Sequence, residues 1–208
     1  MKRCPWSEMS GLHMTSYHDE EWGFPVFNDR TQFEFLVLES AQAGLSWNTV
    51  LKKREAYRKA YRGFHPEQVA GFKDREKQVL LLDKGIIRNK LKIEASVHNA
   101  RLFLQVAEEW GSFTSYLWHF TEYTPVVGHW ESQDEIPAQT SLSQIISRDM
   151  KKRGFRFMGP VIVYSHLQAV GIVNDHIREC FRYKQLVDYY KSSHFTEEIK
   201  RLKSCKSL

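Results

Sequence analysis

Hydrophobic positions recur with a helical period along most of this 208-residue chain, and strand-like alternation is scarce. The clearest predicted helix covers residues 31–43 and follows the cap-like pair Asn28-Asp29. One face of this helix carries Phe33, Leu36, Val37 and Ser40. Further helices are predicted over residues 46–61, 66–72, 74–84, 88–109, 113–121, 141–152 and 160–171. Residues 122–140 lack a period and predict a loop, so the fold class is all-α.

The C-terminal residues 182–208 are helix-like and rich in charge. They predict a charged helical tail, a surface appendage to one main domain over residues 1–181. No Pro-rich linker or internal repeat divides that main domain.

Composition narrows the class of protein. The net charge is +5 and aromatic residues make up 13% of the chain, which favours a polyanionic partner and is compatible with nucleic acid or a membrane surface. The N-terminus lacks the apolar segment of a signal peptide, and the apolar runs are too short to cross a bilayer. Three widely spaced cysteines argue against a disulfide framework. We therefore expect a cytoplasmic protein with reduced thiols and no membrane partner.

Two His/Cys pairs at opposite ends of the chain are candidate metal ligands. His176 and Cys180 are four residues apart, so on a helix both would point the same way. With Cys4 and His18 they would form a closed shell of two thiolates and two imidazoles, typical of structural zinc. Such a site would tether the two ends of the chain, although a His and a Cys at this spacing are more often accidental than metal-binding. Cys205 has no partner at ligand spacing and predicts a free surface thiol.

Residues 80–90 predict two helices joined by a short turn at Gly85. A glycine there permits positive φ and leaves backbone N–H groups free for a phosphate, and Arg88, Lys90 and Lys92 follow at once. The alternative is an ordinary helix hairpin with a solvated basic face. Helix–hairpin–helix motifs usually carry a second glycine two residues after the first, where this chain has Ile87.

Four aromatic residues and one carboxylate in the first quarter of the chain suggest a pocket. The rings are those of Trp6, Tyr17, Trp22 and Trp47. Glu39, with Gln42 close behind it, lies on an otherwise apolar helix, where a carboxylate needs a partner. That partner is either an arginine of the same protein or a cationic ligand held between aromatic rings.

Several ordered segments resemble the 3-methyladenine DNA glycosylase I (Tag) family. They are residues 3–6 (RCPW), 17–23 (YHDEEWG), 39–47 (ESAQAGLSW), 51–55 (LKKRE), 85–88 (GIIR), 151–157 (KKRGFRF) and 171–176 (GIVNDH). The resemblance covers most of the chain. It implies a helix–hairpin–helix glycosylase fold with two helical lobes around a base pocket, and an enzyme that excises 3-methyladenine from alkylated double-stranded DNA. We expect the protein to be a monomer.

The resemblance also implies roles for individual residues. Glu39 would bind the adenine edge and act in catalysis, between stacking rings of Tyr17 and Trp47 in a pocket completed by Trp6 and Trp22. The hairpin at Gly85 and Ile86 would hold the DNA, and a zinc ion would be bound by Cys4, His18, His176 and Cys180. The chain departs from the family in its longer tail after Phe181 and in the variable stretch 7–16, from which no pocket residue is inferred.

Other helix–hairpin–helix glycosylases use a catalytic Asp where this chain has Asn174. An amide cannot act as a general base, so catalysis would rest on extruding and holding a base that is already cationic. Two other functions also fit the residues: a zinc-stabilised lesion sensor without catalysis, which Asn174 favours, and a glycosylase with a broader range, such as 3-methylguanine.

Overall fold

The computed structural model describes residues 1–9 and 11–204, and within them the regular structure is mostly helical. Its α-helices are α1 (Leu12–Glu20), α2 (Asp29–Gln42), α3 (Trp47–Leu51), α4 (Arg54–Ala60), α5 (Pro66–Ala70), α6 (Asp74–Leu82), α7 (Lys90–Trp110), α8 (Phe113–His119), α9 (Ser141–Lys152), α10 (Pro160–Ala169), α11 (Phe181–Tyr189) and α12 (Ser193–Ser204). Short 3-10 helices cover Pro5–Ser7, Arg62–Phe64 and Gln133–Glu135. The predicted all-α class is confirmed. No helix among the described residues has the length and apolarity needed to cross a membrane.

Helix α2 is the centre of the fold. Its predicted N-cap is confirmed, because the side chain of Asn28 accepts a hydrogen bond from the Thr31 N–H at 2.9 Å. The sequence predicts one buried face, whereas residues 32–41 are buried on every side. Helices α7, α8 and α10 all pack around α2, and this is why the carboxylate of Glu39 lies inside the protein.

The prediction of one continuous helix over residues 46–61 is wrong, because the structure has two helices there. The predicted helix is broken at Lys52 and Lys53 into α3 and α4. The ammonium of Lys53 donates to the carbonyl oxygens of Lys84 at 2.9 Å and Gly85 at 3.3 Å. Lys53 therefore supports the turn between α6 and α7 instead of extending a helix.

A short parallel strand pair crosses the region predicted to be only a loop. Strand β1 (Val126–Val127) pairs with β2 (Val173–Asn174), in the register Val126 with Val173. This pairing brings the segment after β1 against the segment after β2. It thereby places Trp130 beside Asp175.

The C-terminal helices are packed against the body of the protein, so the expectation of a surface appendage is wrong for the described residues. Phe195, Ile199 and Leu202 on α12 are buried. The hydroxyl of Ser115 on α8 donates to the carbonyl of Leu202 at 3.0 Å. Apolar side chains at the helical spacing i, i+4 and i+7 explain this docking. Cys205 lies outside the described residues.

Candidate functional site

Four buried side chains converge where the two ends of the chain meet. Cys4 precedes the first 3-10 helix, His18 lies on α1, and His176 and Cys180 follow β2. One nitrogen or sulfur atom from each lies within 4.8 Å of the others. The Sγ atom of Cys180 is 3.4 Å from Nε2 of His18 and 3.4 Å from Nδ1 of His176. The structure thus brings together all four metal ligands predicted from the sequence.

The prediction that His176 and Cys180 lie on a helix is wrong. Residues 175–180 form an irregular turn, and α11 begins only at Phe181. Within this turn the N–H of Cys180 donates to the carbonyl of Ile177 at 2.8 Å. This turn brings residues i and i+4 together as a helix would. The spacing therefore correctly predicted that the two side chains lie together, although the predicted helix is not present at these residues.

The donor set fits a tetrahedral zinc ion. Zinc bonds of about 2.3 Å to sulfur and about 2.0 Å to nitrogen put these donors about 3.5 Å apart at a tetrahedral angle. Three of the four sulfur–nitrogen separations are 3.4–3.5 Å. The thiol of Cys4 donates to Cys180, which lowers the pKa of Cys180 and raises that of Cys4.

Each histidine uses its second ring nitrogen to hold its orientation. Nδ1 of His18 donates to Asp19 at 2.8 Å, and Nε2 of His176 donates to the carbonyl of Trp22 at 3.0 Å. Hydrogen bonds from Arg3 lower the pKa of Asp19 and keep it ionised. These contacts leave Nε2 of His18 and Nδ1 of His176 as the ligand atoms, the arrangement usual around zinc-bound histidine.

A cavity of about 350 Å³ opens beside this cluster. It is lined by Trp6, Met14, Tyr17, Trp22, Glu39, Gln42, Trp47, Gln133, Ile136, Ser165 and Gln168. All five pocket residues predicted from the sequence, four rings and one carboxylate, therefore share one cavity. Its volume is sufficient for a single purine base.

The rings form the walls of this cavity. The centroids of Tyr17 and Trp47 are 5.4 Å apart, and those of Trp6 and Trp22 are 5.1 Å apart in an edge-on arrangement. The Trp22 ring also lies 4.5 Å from the ring of His176. The cavity and the proposed metal cluster consequently share a wall.

Glu39 is buried against these rings without a protein partner. It is 3% exposed, and Oε2 receives no hydrogen bond from any described residue. Burial raises the pKa of Glu39 to about 8. Arg54, the nearby arginine that could have paired with it, instead binds Glu21 and Glu34, each at 2.7 Å. Among the described residues, Glu39 therefore lacks the internal ion pair considered from the sequence.

The sequence analysis missed several residues of the cavity wall. Met14 lies in the stretch from which no pocket residue was inferred. Ser165 and Gln168 are three residues apart on α10, so a polar pair on one face of an apolar helix was the available signal. Asn174 is fully buried outside this wall, and its Oδ1 accepts from the His176 N–H at 3.3 Å.

The turn between α6 and α7 departs from the expected glycine geometry. Gly85 does not have positive φ, and its N–H donates to the side chain of Asp83 at 2.7 Å. Glycine is required there for a different reason, since a β-carbon would lie 2.7 Å from that of Ala56. Ile86 is buried beneath the turn.

The basic residues after this turn divide into two kinds. Arg88 and Lys90 are exposed at the N-terminus of α7, which Asn89 caps. The ammonium of Lys92 instead donates to the carbonyls of Ala41 at 2.8 Å and Ala43 at 2.7 Å, at the end of α2. Burial lowers the pKa of Lys92. Its charge is therefore committed to the protein, whereas Arg88 is exposed and Lys90 makes a long ion pair of 3.9 Å with Glu94 on the surface of α7.

Comparison with known sequences gives one consistent family. The methyladenine glycosylase family model matches residues 6–183. The chain is 44% identical over 183 residues to DNA-3-methyladenine glycosylase 1 of Escherichia coli (strain K12), covering 88% of this chain and 97% of that protein. It is 38% identical over 178 residues to the DNA-3-methyladenine glycosylase of Haemophilus influenzae, covering 86% and 96%.

Solved structures agree with the sequence comparison. A crystal structure of 3-methyladenine DNA glycosylase I is 43% identical, with a TM-score of 0.82 over 86% of this chain and 98% of that one. The Staphylococcus aureus enzyme, studied for its recognition of 3-methyladenine, is 34% identical with a TM-score of 0.83 over 87% and 96%. Since the family model spans most of the chain and the relatives match over nearly their full length, the protein belongs to the methyladenine glycosylase family.

Proposed function

We propose that this protein is a monofunctional DNA glycosylase that removes 3-methyladenine from alkylated double-stranded DNA. The observation that carries the proposal is the unpartnered carboxylate of Glu39, buried in a cavity of aromatic rings. A buried carboxylate without a partner costs stability, so it points to a ligand that supplies the missing partner. The relatives in Escherichia coli and Haemophilus influenzae are named for the same activity.

The flipped-out base would lie between Tyr17 and Trp47, with Trp6 and Trp22 closing the cavity. Methylation at N3 gives the adenine a positive charge, and each stacked ring then contributes about 0.5–2 kcal/mol of cation–π attraction. Glu39 would accept hydrogen bonds from the N–H edge of the base. A neutral adenine brings no charge to this carboxylate and would be bound less tightly.

The reaction needs little acid–base assistance. As the bond between the base and C1′ of the sugar breaks, its electron pair neutralises the cationic base, which leaves as neutral 3-methyladenine. Water bonds to C1′ and gives up a proton to solvent, leaving an abasic site. Asn174, buried away from the cavity, takes no part in this chemistry. Tight, dry binding of the extruded cation at Glu39 supplies the rate enhancement.

Zinc would be held by Cys4, His18, His176 and Cys180. Four protein donors close the shell, so the ion would be structural and would join the N-terminal segment to the turn after β2. Zinc binding requires reduced thiols, which agrees with a cytoplasmic enzyme. Because all four ligands and the whole pocket wall come from one chain, the enzyme would act as a monomer.

The turn between α6 and α7 would hold the DNA as a helix–hairpin–helix element. Arg88 and Lys90 would contact phosphates, helped by the free N–H groups in the first turn of α7. Gly85 and Ile86 would contribute through the backbone and packing of the turn, since the Gly85 N–H is already bonded to Asp83. These contacts give affinity without reading the sequence of the DNA.

The test of the proposed function is base release from methylated duplex DNA. We expect chromatography of the freed bases to show 3-methyladenine, with 7-methylguanine retained and the strands uncut. If zinc-loaded protein binds DNA but releases no base, the protein is a lesion sensor, the second function that Asn174 favours.

Charge removal at the hairpin should weaken DNA binding in a salt-dependent way. For Arg88→Ala with Lys90→Ala, we expect the slope of log affinity against log salt concentration to become shallower by about 2, because two phosphate contacts are lost. Fluorescence anisotropy of labelled duplex DNA at several salt concentrations measures this slope. Lys92→Met is the matched control and should keep the wild-type slope, since Lys92 binds Ala41 and Ala43. An equal loss of slope in Lys92→Met would contradict the assignment.

A further inference from the structure

A buried carboxylate next to the proposed metal cluster is tied to the base cavity through a glutamine. Asp175 is 1% exposed. Its Oδ1 accepts from the indole N–H of Trp130 at 2.6 Å, and its Oδ2 accepts from the hydroxyl of Tyr164 and from Nε2 of Gln168 at 2.7 Å. At Gly128, a β-carbon would collide with both Trp130 and Asp175. The backbone is therefore shaped around this network.

The chemistry of Asp175 decides which way the amide of Gln168 faces. A carboxylate only accepts hydrogen bonds, so Gln168 must turn its NH₂ group toward Asp175. Its carbonyl oxygen then lies on the other edge of the planar amide group and points away from Asp175. Gln168 lines the cavity, and no described residue donates a hydrogen bond to that oxygen. The cavity therefore contains a second oriented acceptor besides Glu39.

We propose that Asp175 is a positioning residue that turns the Gln168 carbonyl toward the bound base, making Gln168 a determinant of adenine over guanine specificity. This inference rests on the proposed function. 3-Methyladenine carries an amino group at C6, which can donate to an acceptor. 3-Methylguanine carries a carbonyl there, whose lone pairs would face the oxygen of Gln168. Two acceptors without a proton between them repel, and the guanine lesion is disfavoured.

The substitution Asp175→Asn should reverse the orientation of the Gln168 amide, because each hydrogen bond in the network then has one possible direction. The indole of Trp130 can only donate, so the new amide must keep its oxygen toward Trp130 and place its NH₂ group toward Tyr164 and Gln168. The hydroxyl of Tyr164 can rotate and accept. Gln168 must turn over to offer its carbonyl, which puts its own NH₂ group into the cavity.

The experiment compares single-turnover release of 3-methyladenine and 3-methylguanine from DNA containing each lesion. For Asp175→Asn we expect 3-methyladenine release to slow by about 10- to 100-fold, because an acceptor for a cationic base is replaced by a donor. The ratio of the two rates should fall by at least about tenfold. The double variant Asp175→Asn with Gln168→Glu should recover the wild-type ratio, since a carboxylate accepts from the new amide and also from the base.

Two further variants separate positioning from folding. Trp130→Phe removes a donor from the other oxygen of Asp175, so it should lower stability but keep the wild-type ratio. Gln168→Leu deletes the acceptor without touching Asp175 and should lower the ratio. Zinc content and melting temperature are measured for each, because Asp175 adjoins His176.

The outcomes are distinct. An unchanged ratio in folded, zinc-loaded Asp175→Asn, or in Gln168→Leu, would overturn the inference while the proposed function stands. Failure of the double variant to recover the ratio, although folded and zinc-loaded, would also overturn it. If the wild-type protein releases neither base, the proposed function falls and this inference falls with it.

Discussion

Replacing Glu39 with Gln is expected to slow release of 3-methyladenine by at least about 100-fold while making the protein more stable. The activity loss follows from removing the one carboxylate that meets the charge of the bound base in a dry cavity, where such interactions are strongest. The substitution keeps the size of the side chain. Single-turnover base release measures the loss directly.

The stability gain follows from the pKa of Glu39, which burial raises from 4.5 to about 8. Below pH 4.5 both folded and unfolded chains hold this proton, and the residue costs nothing. Between pH 4.5 and about 8 the unfolded chain releases the proton while the folded chain retains it, so stability is lost as pH rises. At pH 7 the cost is about 3 kcal/mol by this linkage, and the Glu39→Gln substitution would avoid it.

Urea unfolding of wild-type protein and Glu39→Gln at pH 5 and pH 8 tests this account. We expect the two proteins to differ little at pH 5 and the variant to be about 3–4 kcal/mol more stable at pH 8. The value of kcat/KM for the wild type should rise with pH up to about 8, because the ionised carboxylate binds the cation. A Glu39→Gln protein that is less stable than the wild type at pH 8 would show that Glu39 has an internal partner.

Removal of the proposed zinc ion is the second large effect. We expect a strong chelator, or Cys180→Ala, to lower the free energy of unfolding by about 4 kcal/mol and the melting temperature by about 10 °C. Binding of 3-methyladenine should weaken as well, because the Trp22 ring packs on His176 at 4.5 Å and its carbonyl holds the same imidazole. Differential scanning calorimetry and metal analysis of the purified protein measure the two losses.

Two further variants test which residues bind the proposed zinc ion. Asp19→Asn removes the carboxylate that orients His18 but keeps every ligand, so zinc affinity should fall by about 10- to 100-fold without abolishing binding. Cys205→Ser changes a cysteine that lies outside the described residues and has no partner at ligand spacing in the sequence, and this variant should retain one zinc per chain. A Cys180→Ala protein with unchanged metal content would show that these residues do not form the site.

The sequence predicted the chemistry of this protein better than its local geometry. Residues of the pocket and the cluster could be found because carboxylates, thiols and imidazoles stand out in an apolar context. The break at Lys52 and Lys53 could not be found, because it depends on carbonyls of the turn at Gly85, far along the chain. For the same reason the sequence did not reveal the strand pair β1–β2, whose two-residue strands carry almost no periodic signal.

The packing of α12 was missed for a different reason. Its charged residues dominate its composition, while its buried apolar residues are Phe195, Ile199 and Leu202. The matched family model ends at residue 183, so the resemblance carries no information about this helix. Gln168 was missed because the role proposed for it depends on its hydrogen bond to Asp175, a contact visible only in three dimensions.

The bridge from Lys92 to the end of α2 has a consequence for how the enzyme would search DNA. The same ammonium fastens the first turn of α7, next to Arg88 and Lys90, to the carbonyls that follow Glu39 by two and four residues. The proposed phosphate-binding residues and the base cavity are thereby held at one fixed spacing. An enzyme built this way would sample one nucleotide at a set offset from the phosphates that it holds. It would have to move along the duplex to inspect the next nucleotide.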